Sequence, residues 1–314
     1  MGENFMLSNQ KNKGLSSFFS LLLLLLFVFF GMRIQLLADG VRLAMKLCAY
    51  ALIPTLFPFL VLTDLILSLD AAERFLHFFS RPLLRPLRLS KYGGIAYLMG
   101  ALFGFPMGAK AIAHYYRLGS LSKEESERLL LFSGNASPFF LIGGVGLGML
   151  SSLYTGIYLY ALQLFISLAC GFLLGRFAPP SKENKNENLS EKEAFSFPKS
   201  VRGGVLQSLF ISGYVMFFSA TCHALIPLLK NKFLSGMAAS LLEISTACSI
   251  STANRDVFSL PLCAFSIAFS GFSVFFQTAD CITQTDLKLK RYLPVKILCG
   301  CAAFFLTLLL VRFG

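Results

Sequence analysis

Lys110 and Glu243 are the two ionisable side chains that lie deepest within apolar segments of this sequence. Lys110 ends the segment 100–110, and Glu243 lies within the segment 236–252. A charged side chain at the centre of a membrane helix costs roughly 2.5–3.5 kcal/mol on insertion scales. Lys110 could therefore reach the interface, pair with an acid or contact an anionic ligand. Glu243 could pair with Lys110, couple protons or hydrogen-bond a substrate.

The segment around Lys110 cannot form one straight helix. Gly104, Pro106 and Gly108 lie within seven residues of each other, and proline removes a backbone donor while glycine permits close approach and unusual dihedrals. In a bilayer, freed backbone groups are tolerated only where they face protein or a water-lined cavity. A broken helix over 92–118 therefore indicates a site.

Short polar side chains mark two further positions of interest. Asn135 and Ser137 precede an apolar run, so they could cap a helix, or the free N–H groups there could bind an anion. Ser245 and Thr246 follow Glu243 and could contact substrate or satisfy the backbone of a broken helix. The candidate substrate-binding residues are Gly104, Pro106, Gly108, Lys110, Asn135, Ser137, Glu243, Ser245 and Thr246.

Composition identifies the chain as an integral membrane protein. Hydrophobic residues make up 55% of the 314 residues and charged residues 14%, and mean hydropathy is +0.68. Apolar runs long enough to cross a bilayer occur at 15–37, 43–68, 129–150, 153–175, 201–227, 259–281 and 293–313. These predict an all-α polytopic fold with about seven full spans. The first run is better interpreted as an anchor than as a cleaved signal peptide, because it continues past Gly31.

Several function classes are disfavoured. The formal charge of +12 arises from Lys and Arg between apolar runs, as expected of cytoplasmic loops, so nucleic acid is not an expected partner. The three histidines have no metal-ligand spacing, and neither a phosphate-binding loop nor a nucleophile motif occurs. We expect no metal, no cofactor and no enzymatic activity. The eight cysteines lie in or beside apolar segments and are expected to be buried thiols.

The distribution of basic residues predicts a topology. With the N-terminus inside, 70–91 forms an interfacial helix, and 92–118 a re-entrant hairpin that bends near Pro106. The polar linker then also lies inside; if 92–118 crossed fully, the linker would lie outside. In the second half, 236–252 is re-entrant from the outer side.

The chain divides into a tail and two membrane halves. Residues 1–14 form a cytoplasmic tail, 15–178 the first half with broken helix 92–118, 179–200 a flexible polar linker, and 201–314 the second half with broken helix 236–252. Each half has a broken hairpin followed by a small-residue segment. Similar order with opposite orientation predicts an inverted repeat, as in many secondary transporters.

The ordered motifs resemble the YlbJ family of sporulation integral membrane proteins, within the nucleoside recognition or Gate-domain group. The resemblance extends over most of residues 40–300 and rests on Pro54–Phe59, Gly104–Lys110, Arg117–Glu125, Phe132–Pro138 and Leu242–Thr246. Carried over by motif, the family residues are Gly104, Pro106, Gly108, Ala109, Lys110, Asn135, Ser137 and Pro138. The second half departs from the family in having Ser245-Thr-Ala247 where an Asn-Gly pairing is common.

The resemblance implies a polytopic protein of endospore-forming bacteria, made in the mother cell and associated with moving dipicolinic acid across the outer forespore membrane. Its wider group resembles concentrative nucleoside transporters, which use opposed re-entrant hairpins. The expected function is alternating-access transport of a small organic anion, with Lys110 and the Asn135–Ser137 turn holding a carboxylate. The alternatives are a non-transporting scaffold for cortex or coat assembly and a nucleoside or nucleobase transporter. Expected partners are the substrate, the bilayer, an unidentified coupling ion and a second copy of the chain.

Overall fold

The computed structural model describes residue 17 and residues 20–178, 195–254 and 256–313. Within these ranges the chain is helical and has no strand. The predicted tail 1–14 and most of the predicted linker 179–200 lie outside the described residues.

Eight α-helices and two π-helical stretches lie among the described residues of the first half. They are α1 (Ser20–Met32), α2 (Ile34–Leu47) with a π-helical turn at Cys48–Leu52, α3 (Ile53–Ser68), α4 (Asp70–Leu87), α5 (Lys91–Phe103), α6 (Met107–Arg117), α7 (Lys123–Leu130), the π-helical segment Phe139–Met149, and α8 (Leu153–Arg176). Serine side chains cap three of these helices: the hydroxyls of Ser90, Ser122 and Ser152 accept from backbone N–H groups in the first turns of α5, α7 and α8.

Six helices of the second half lie within the described residues. They are α9 (Phe197–Leu225), α10 (Lys232–Leu242), α11 (Ile244–Asn254), α12 (Ser259–Phe269), α13 (Gly271–Cys281) and α14 (Tyr292–Phe313). The break between α12 and α13 is formed by Ser270 and Gly271, which have φ values of 76° and 68°. This break lies within an apolar stretch of 23 residues, so it places backbone polar groups at membrane depth.

Four helical stretches of the described chain are long and apolar enough to cross a membrane: Leu153–Arg176, Phe197–Leu228, Ser259–Cys281 and Tyr292–Phe313. They correspond to four of the seven predicted spans. The bent pair Ser20–Met32 and Ile34–Leu52 brings the number to five if it is counted as one span.

The remaining predicted spans differ from the structure. The run 15–37 is interrupted, because Arg33 leaves helical geometry and α1 and α2 meet at 88°. The run 129–150 is not one helix: α7 ends at Leu130, and a non-helical loop follows as far as Pro138. Hydropathy averages over such short polar interruptions, which is why it joined segments that the backbone separates.

Both predicted broken helices fold back as helical hairpins. In α5–α6, the ring centroids of Tyr92 and Tyr115 lie 4.9 Å apart, so the start of α5 contacts the end of α6. In α10–α11, a Cβ on Gly236 would lie 3.3 Å from the hydroxyl of Ser251. The two hairpin tips are Gly104–Pro106 and Glu243.

Polar contacts gather the helix ends of the first hairpin at one end of the molecule. Arg88 donates to the carbonyls of Arg176 and Ala178. Asp286, in the α13–α14 loop, accepts from Tyr116 and from Lys123. These donors lower the pKa of the Asp286 carboxyl to about 2. The loops predicted to lie inside therefore meet at one end of the molecule. The hairpin α5–α6 has both the start of α5 and the end of α6 at that end.

Candidate functional site

The first hairpin tip packs directly on the loop between α7 and the π-helical segment. Gly104 has a φ of 85°, and a Cβ there would lie 2.8 Å from the backbone nitrogen of Ser137. Added Cβ atoms on Gly100 and Gly108 would lie 2.1 Å and 2.9 Å from the carbonyl oxygen of Ser133. Glycine at these positions therefore allows the hairpin to contact the loop backbone without intervening side chains.

The second hairpin tip is the single residue Glu243, which has extended backbone between two helices. Its two carboxylate oxygens accept from the backbone N–H groups of Ser245 and Thr246, at 3.0 Å and 2.7 Å. Glu243 thus caps the N-terminus of α11, where a negative charge is stabilised by the helix dipole. Its side chain is 3% exposed, and the described part of the chain provides no salt bridge to it.

The two tips line one cavity, which we call the tip cavity. Its polar lining consists of Ser137, Glu243, Ser245, Ser273 and Gln277. Its apolar lining consists of Leu52, Leu56, Phe105, Phe140, Ile211, Val215, Ile244 and Val274. The cavity volume is about 40 Å³, room for only a few water molecules, since one occupies about 10–15 Å³ on this measure.

Gln277 is an additional polar group of the tip cavity. Its amide nitrogen donates to the hydroxyl of Ser273 at 3.2 Å, while its buried carbonyl oxygen has no hydrogen-bond partner among the described residues. A buried amide oxygen without a partner is unfavourable. The cavity therefore offers an acceptor that a ligand donor or a water molecule can satisfy.

The loop before the π-helical segment is held by α8. Gln163 accepts from the backbone N–H of Ala136 at 2.9 Å and donates to its carbonyl at 3.1 Å. Asn135 donates to the carbonyls of Phe132 and Ser133, and to the hydroxyl of Ser167, each at 3.4 Å. Asn135 therefore orders the loop and does not line the tip cavity.

Ser137 lies at the boundary between loop and cavity. Its hydroxyl accepts from the backbone N–H of Phe140 at 3.2 Å, which is the capping role that the sequence allowed. It also lines the tip cavity beside Phe105. Of the candidate residues, only Ser137, Glu243 and Ser245 line this cavity. Thr246 instead bonds the hydroxyl of Ser219 at 3.1 Å.

Lys110 lies elsewhere. Its ammonium is 2.6 Å from a carboxylate oxygen of Asp64 and donates to the amide oxygen of Gln207 at 2.8 Å. The suggested pairing of Lys110 with Glu243 is therefore wrong. Among the described residues, Lys110 and the Asn135–Ser137 turn line no common cavity, so the structure does not bring them together around one site. Lys110 lies about one helical turn from its hairpin tip, on the face of α6 that meets α3 and α9, whereas Ser137 meets the tip itself.

Lys110 lines a second cavity, which we call the vestibule. It has a volume of about 280 Å³ and is lined by Asp64, Leu67, Ser68, Lys110, His114, Arg117, Leu118, Ser196, Lys199 and Ser200. Arg117 and Lys199 are exposed, so the vestibule opens to the surface. Its lining carries two lysines, one arginine and one carboxylate.

A cluster of apolar side chains separates the two cavities. Leu60 of α3, Met107 of α6 and Ile211 of α9 are fully or nearly fully buried and pack together. Along α3, Asp64 lines the vestibule and Leu56 lines the tip cavity, about 12 Å away at 1.5 Å per residue. Leu60 lies between them. We call this cluster the apolar plug.

Lys296 is a buried cation that the sequence did not single out. Its ammonium donates to the carbonyl of Gly134 at 2.7 Å and lies 3.5 Å from the hydroxyl of Ser270. It thereby links the loop after α7 to the break between α12 and α13. In the sequence, Lys296 stands near the start of an apolar run, where a lysine at the membrane interface would also stand. Only its exposure of 4% in the structure shows that it is buried.

Comparisons with known proteins agree with this architecture. The chain is 26% identical to the sporulation integral membrane protein YlbJ of Bacillus subtilis (strain 168) over 303 residues, which cover 82% of this chain and 73% of the relative. No family model matches the chain, and no solved structure matches it. The similarity agrees with the resemblance to the YlbJ family that the motifs carry, and the chain is an integral membrane protein.

Proposed function

We propose that the chain transports a small organic anion across a membrane by alternating access. The observation that carries this proposal is the meeting of two helical hairpin tips at one buried polar cavity. Secondary transporters bind substrate near the bilayer midplane between discontinuous helices. Here the discontinuities are the tips at Gly104 and Glu243 and the break at Ser270.

An inverted repeat, with about seven full spans and two re-entrant hairpins, belongs to the same proposal. Each half contains, in order, a hairpin (α5–α6 or α10–α11), an interrupted helix and a long helix (α8 or α14). Each tip also packs closely on the interruption of its own half: Gly104 on Ser137, and Gly271 on the carbonyl of Leu242. This correspondence supports two related units that move relative to one another.

The small tip cavity corresponds to an occluded conformation. Binding sites for small molecules commonly occupy 300–1,000 Å³, whereas this cavity has about 40 Å³. A substrate would enter by separation of the tips from Ser137 and Gln277, on one side and then on the other. The apolar plug of Leu60, Met107 and Ile211 would close the path toward the vestibule.

The substrate class rests on the family resemblance. YlbJ carries the name of a sporulation integral membrane protein, and the resemblance implies dipicolinic acid as cargo and the outer forespore membrane as location. A dianion would be repelled by an ionised Glu243 in a cavity of low dielectric constant. We therefore propose that Glu243 couples substrate movement to a cation gradient, because a bound cation would offset its charge beside the dianion.

The test is flux into proteoliposomes that contain the purified full chain, with radiolabelled dipicolinate and with or without pH and Na⁺ gradients. Wild-type protein should accumulate dipicolinate in response to one of these cation gradients. Glu243→Gln removes the carboxylate charge, so it should retain exchange of dipicolinate and lose the response to the gradient. Glu243→Asp, which keeps the carboxylate, is the control. Absence of dipicolinate flux by stably folded wild-type protein would refute the proposed substrate.

Nucleoside transport is the second candidate. The tip cavity contains one acid, one amide and three hydroxyls but no cation, and such groups also suit a neutral, hydroxyl-rich ligand. Labelled uridine and adenosine in the same vesicles distinguish the candidates. Accumulation of a nucleoside without dipicolinate flux would favour this alternative.

A further inference from the structure

The vestibule has the chemistry of an anion site. Lys110, Arg117 and Lys199 provide three cations against the single carboxylate of Asp64. A cleft lined mainly by one sign of charge concentrates ions of the opposite sign. At about 280 Å³, the vestibule is several times larger than the tip cavity and has the dimensions of a site for a small aromatic acid.

Lys110 already binds a carboxylate in this cavity. Asp64 lies 2.6 Å from its ammonium, and Gln207 holds the same ammonium from α9 at 2.8 Å. The side chains of Lys110 and Asp64 are 22% and 26% exposed, so solvent and solutes reach the pair. An incoming carboxylate can replace the Asp64 carboxylate on Lys110, while Gln207 keeps the ammonium in position.

The remaining cations lie where a second carboxylate would be. Arg117 lies on α6 about one turn beyond His114 and about two turns beyond Lys110. Lys199 lines the same cavity from α9. Arg117 donates to Gln284 at 3.0 Å with one of its nitrogens, and a guanidinium has five N–H donors in total. A ligand with two carboxylates can therefore contact the Lys110 end and the exposed end of the vestibule together.

We propose that the vestibule is an outer binding site, meaning a site nearer the molecular surface than the tip cavity. It binds small dicarboxylates, and the ligand competes there with Asp64 for Lys110. The site is separate from the tip cavity, because the apolar plug lies between them. It rests on the proposed function in that a carrier would use it to collect substrate before the plug opens. Lys110 is thus assigned to substrate capture at the surface and not to the central cavity.

The sign of one substitution distinguishes this proposal from a structural ion pair. Asp64→Asn removes the competing carboxylate and leaves Lys110 held by Gln207, so it should tighten dicarboxylate binding. An exposed ion pair contributes up to about 1 kcal/mol, which corresponds to an affinity gain of about 2- to 5-fold. Lys110→Gln, Arg117→Gln and Lys199→Gln should each weaken binding by a similar factor. Lys232→Gln, on α10, is the matched control and should bind like wild type.

The experiment measures equilibrium binding of radiolabelled pyridine-2,6-dicarboxylate to the full chain in nanodiscs of neutral lipid. Pyridine-2,6-dicarboxamide, which has the same shape without charge, should not compete. Binding should weaken as the salt concentration rises from about 20 to about 300 mM, because the Debye length shortens over this range. The melting temperature of each variant is measured in parallel, so a variant that fails to fold is recognised.

The outcomes separate the outer site from the transport function. If folded Asp64→Asn binds no more tightly than wild type, and Arg117→Gln and Lys199→Gln bind equally well, the vestibule is not the site. Binding that is lost only in Glu243→Gln would place the ligand in the tip cavity and overturn the proposal. Retained vestibule binding without flux in proteoliposomes would instead overturn the transport function and leave the outer site standing.

Discussion

Gly100 and Gly108 bring two helices and a loop into backbone contact. Their Cα atoms face each other across the α5–α6 hairpin, and an added Cβ on either residue would collide with the carbonyl oxygen of Ser133. A backbone atom cannot rotate away as a side chain can. The position of the first hairpin tip against Ser137 therefore depends on residues that carry no side chain.

We predict that Gly100→Ala lowers the melting temperature of the purified protein. The new Cβ would lie 2.1 Å from the Ser133 oxygen, and overpacking of this kind typically costs about 1–3 kcal/mol. Gly213→Ala in α9 is the control, because nothing lies within 4 Å of a Cβ there. Alanine is favoured over glycine in helices by up to about 1 kcal/mol, so the control should melt at the same or a higher temperature. Equal melting of both variants would contradict the close packing.

Lys296 connects two interrupted helices with one buried charge. Its bonds to Gly134 and Ser270 satisfy backbone and hydroxyl oxygens where helical hydrogen bonding stops. Half-helix ends and unwound carbonyls hold cations in transporters, and here an ammonium of the chain itself occupies such a position. Lys296 thereby links the loop at Gly134 and the break at Ser270 to α14.

We predict that Lys296→Met destabilises the protein, by about 1.5–3 kcal/mol for the loss of a hydrogen bond to a charged donor. The measurement is thermal unfolding in detergent. Lys290→Met removes an exposed lysine on the neighbouring loop and should leave the melting temperature nearly unchanged. If both substitutions have the same small effect, Lys296 does not hold the two interruptions together.

The hairpins dominate at the scale of secondary-structure elements. The first enters from the end of the molecule that contains Arg88, Asp286 and Ala178. The second has its open end with Phe233 and Phe258, whose ring centroids are 5.4 Å apart. Both tips line one cavity, and the inverted repeat proposed above would place the open ends of the two hairpins on opposite sides of it.

This arrangement predicts the accessibility of the hairpin ends. In a variant that lacks the eight native cysteines, Lys91→Cys and Arg117→Cys should react with an impermeant maleimide from one side of the membrane. Lys232→Cys and Val257→Cys should react only from the other side. The measurement is labelling of oriented vesicles by gel shift. Labelling of Lys91→Cys and Arg117→Cys from opposite sides would mean that α5–α6 crosses the membrane.

The sequence predicted the helix breaks better than it predicted the spans. Proline and glycine near Pro106, and an acid followed by Ser245, change the backbone locally, so these interruptions are visible in the sequence. The continuity of a helix depends on its neighbours. Arg33 and the loop after Leu130 interrupt runs that hydropathy alone joins.

The candidate site was predicted only in part for the same reason. Glu243, Ser137 and Ser245 line the tip cavity, because each belongs to a tip or an interruption. Lys110 belongs to α6, and its partner Asp64 lies 46 positions earlier in the chain; no local pattern identifies such a pair. Gln277 was not among the candidate residues, because its α13 follows a break at Ser270 that hydropathy does not reveal.

At the scale of the whole molecule, the vestibule, the apolar plug and the tip cavity follow one another in space along α3, α6 and α9. These helices belong to both halves of the chain. A change in the relative position of the halves would therefore alter all three features together. The predicted linker 179–200 joins the halves, and its polar composition makes it the part of the sequence best suited to docking another protein.

We predict that replacing residues 181–193 by a Gly/Ser sequence of equal length leaves dipicolinate flux close to the wild-type rate. The replacement keeps the reach of the connection but removes its charged side chains, whereas the hairpin tips and both cavities are unchanged. A scaffold that assembles spore layers through this segment would instead lose its activity. Flux in proteoliposomes measures the first property, and the heat resistance of spores that carry the variant measures the second. Normal flux with heat-sensitive spores would assign the segment a docking role in addition to transport, while loss of flux would show that the linker belongs to the transport mechanism.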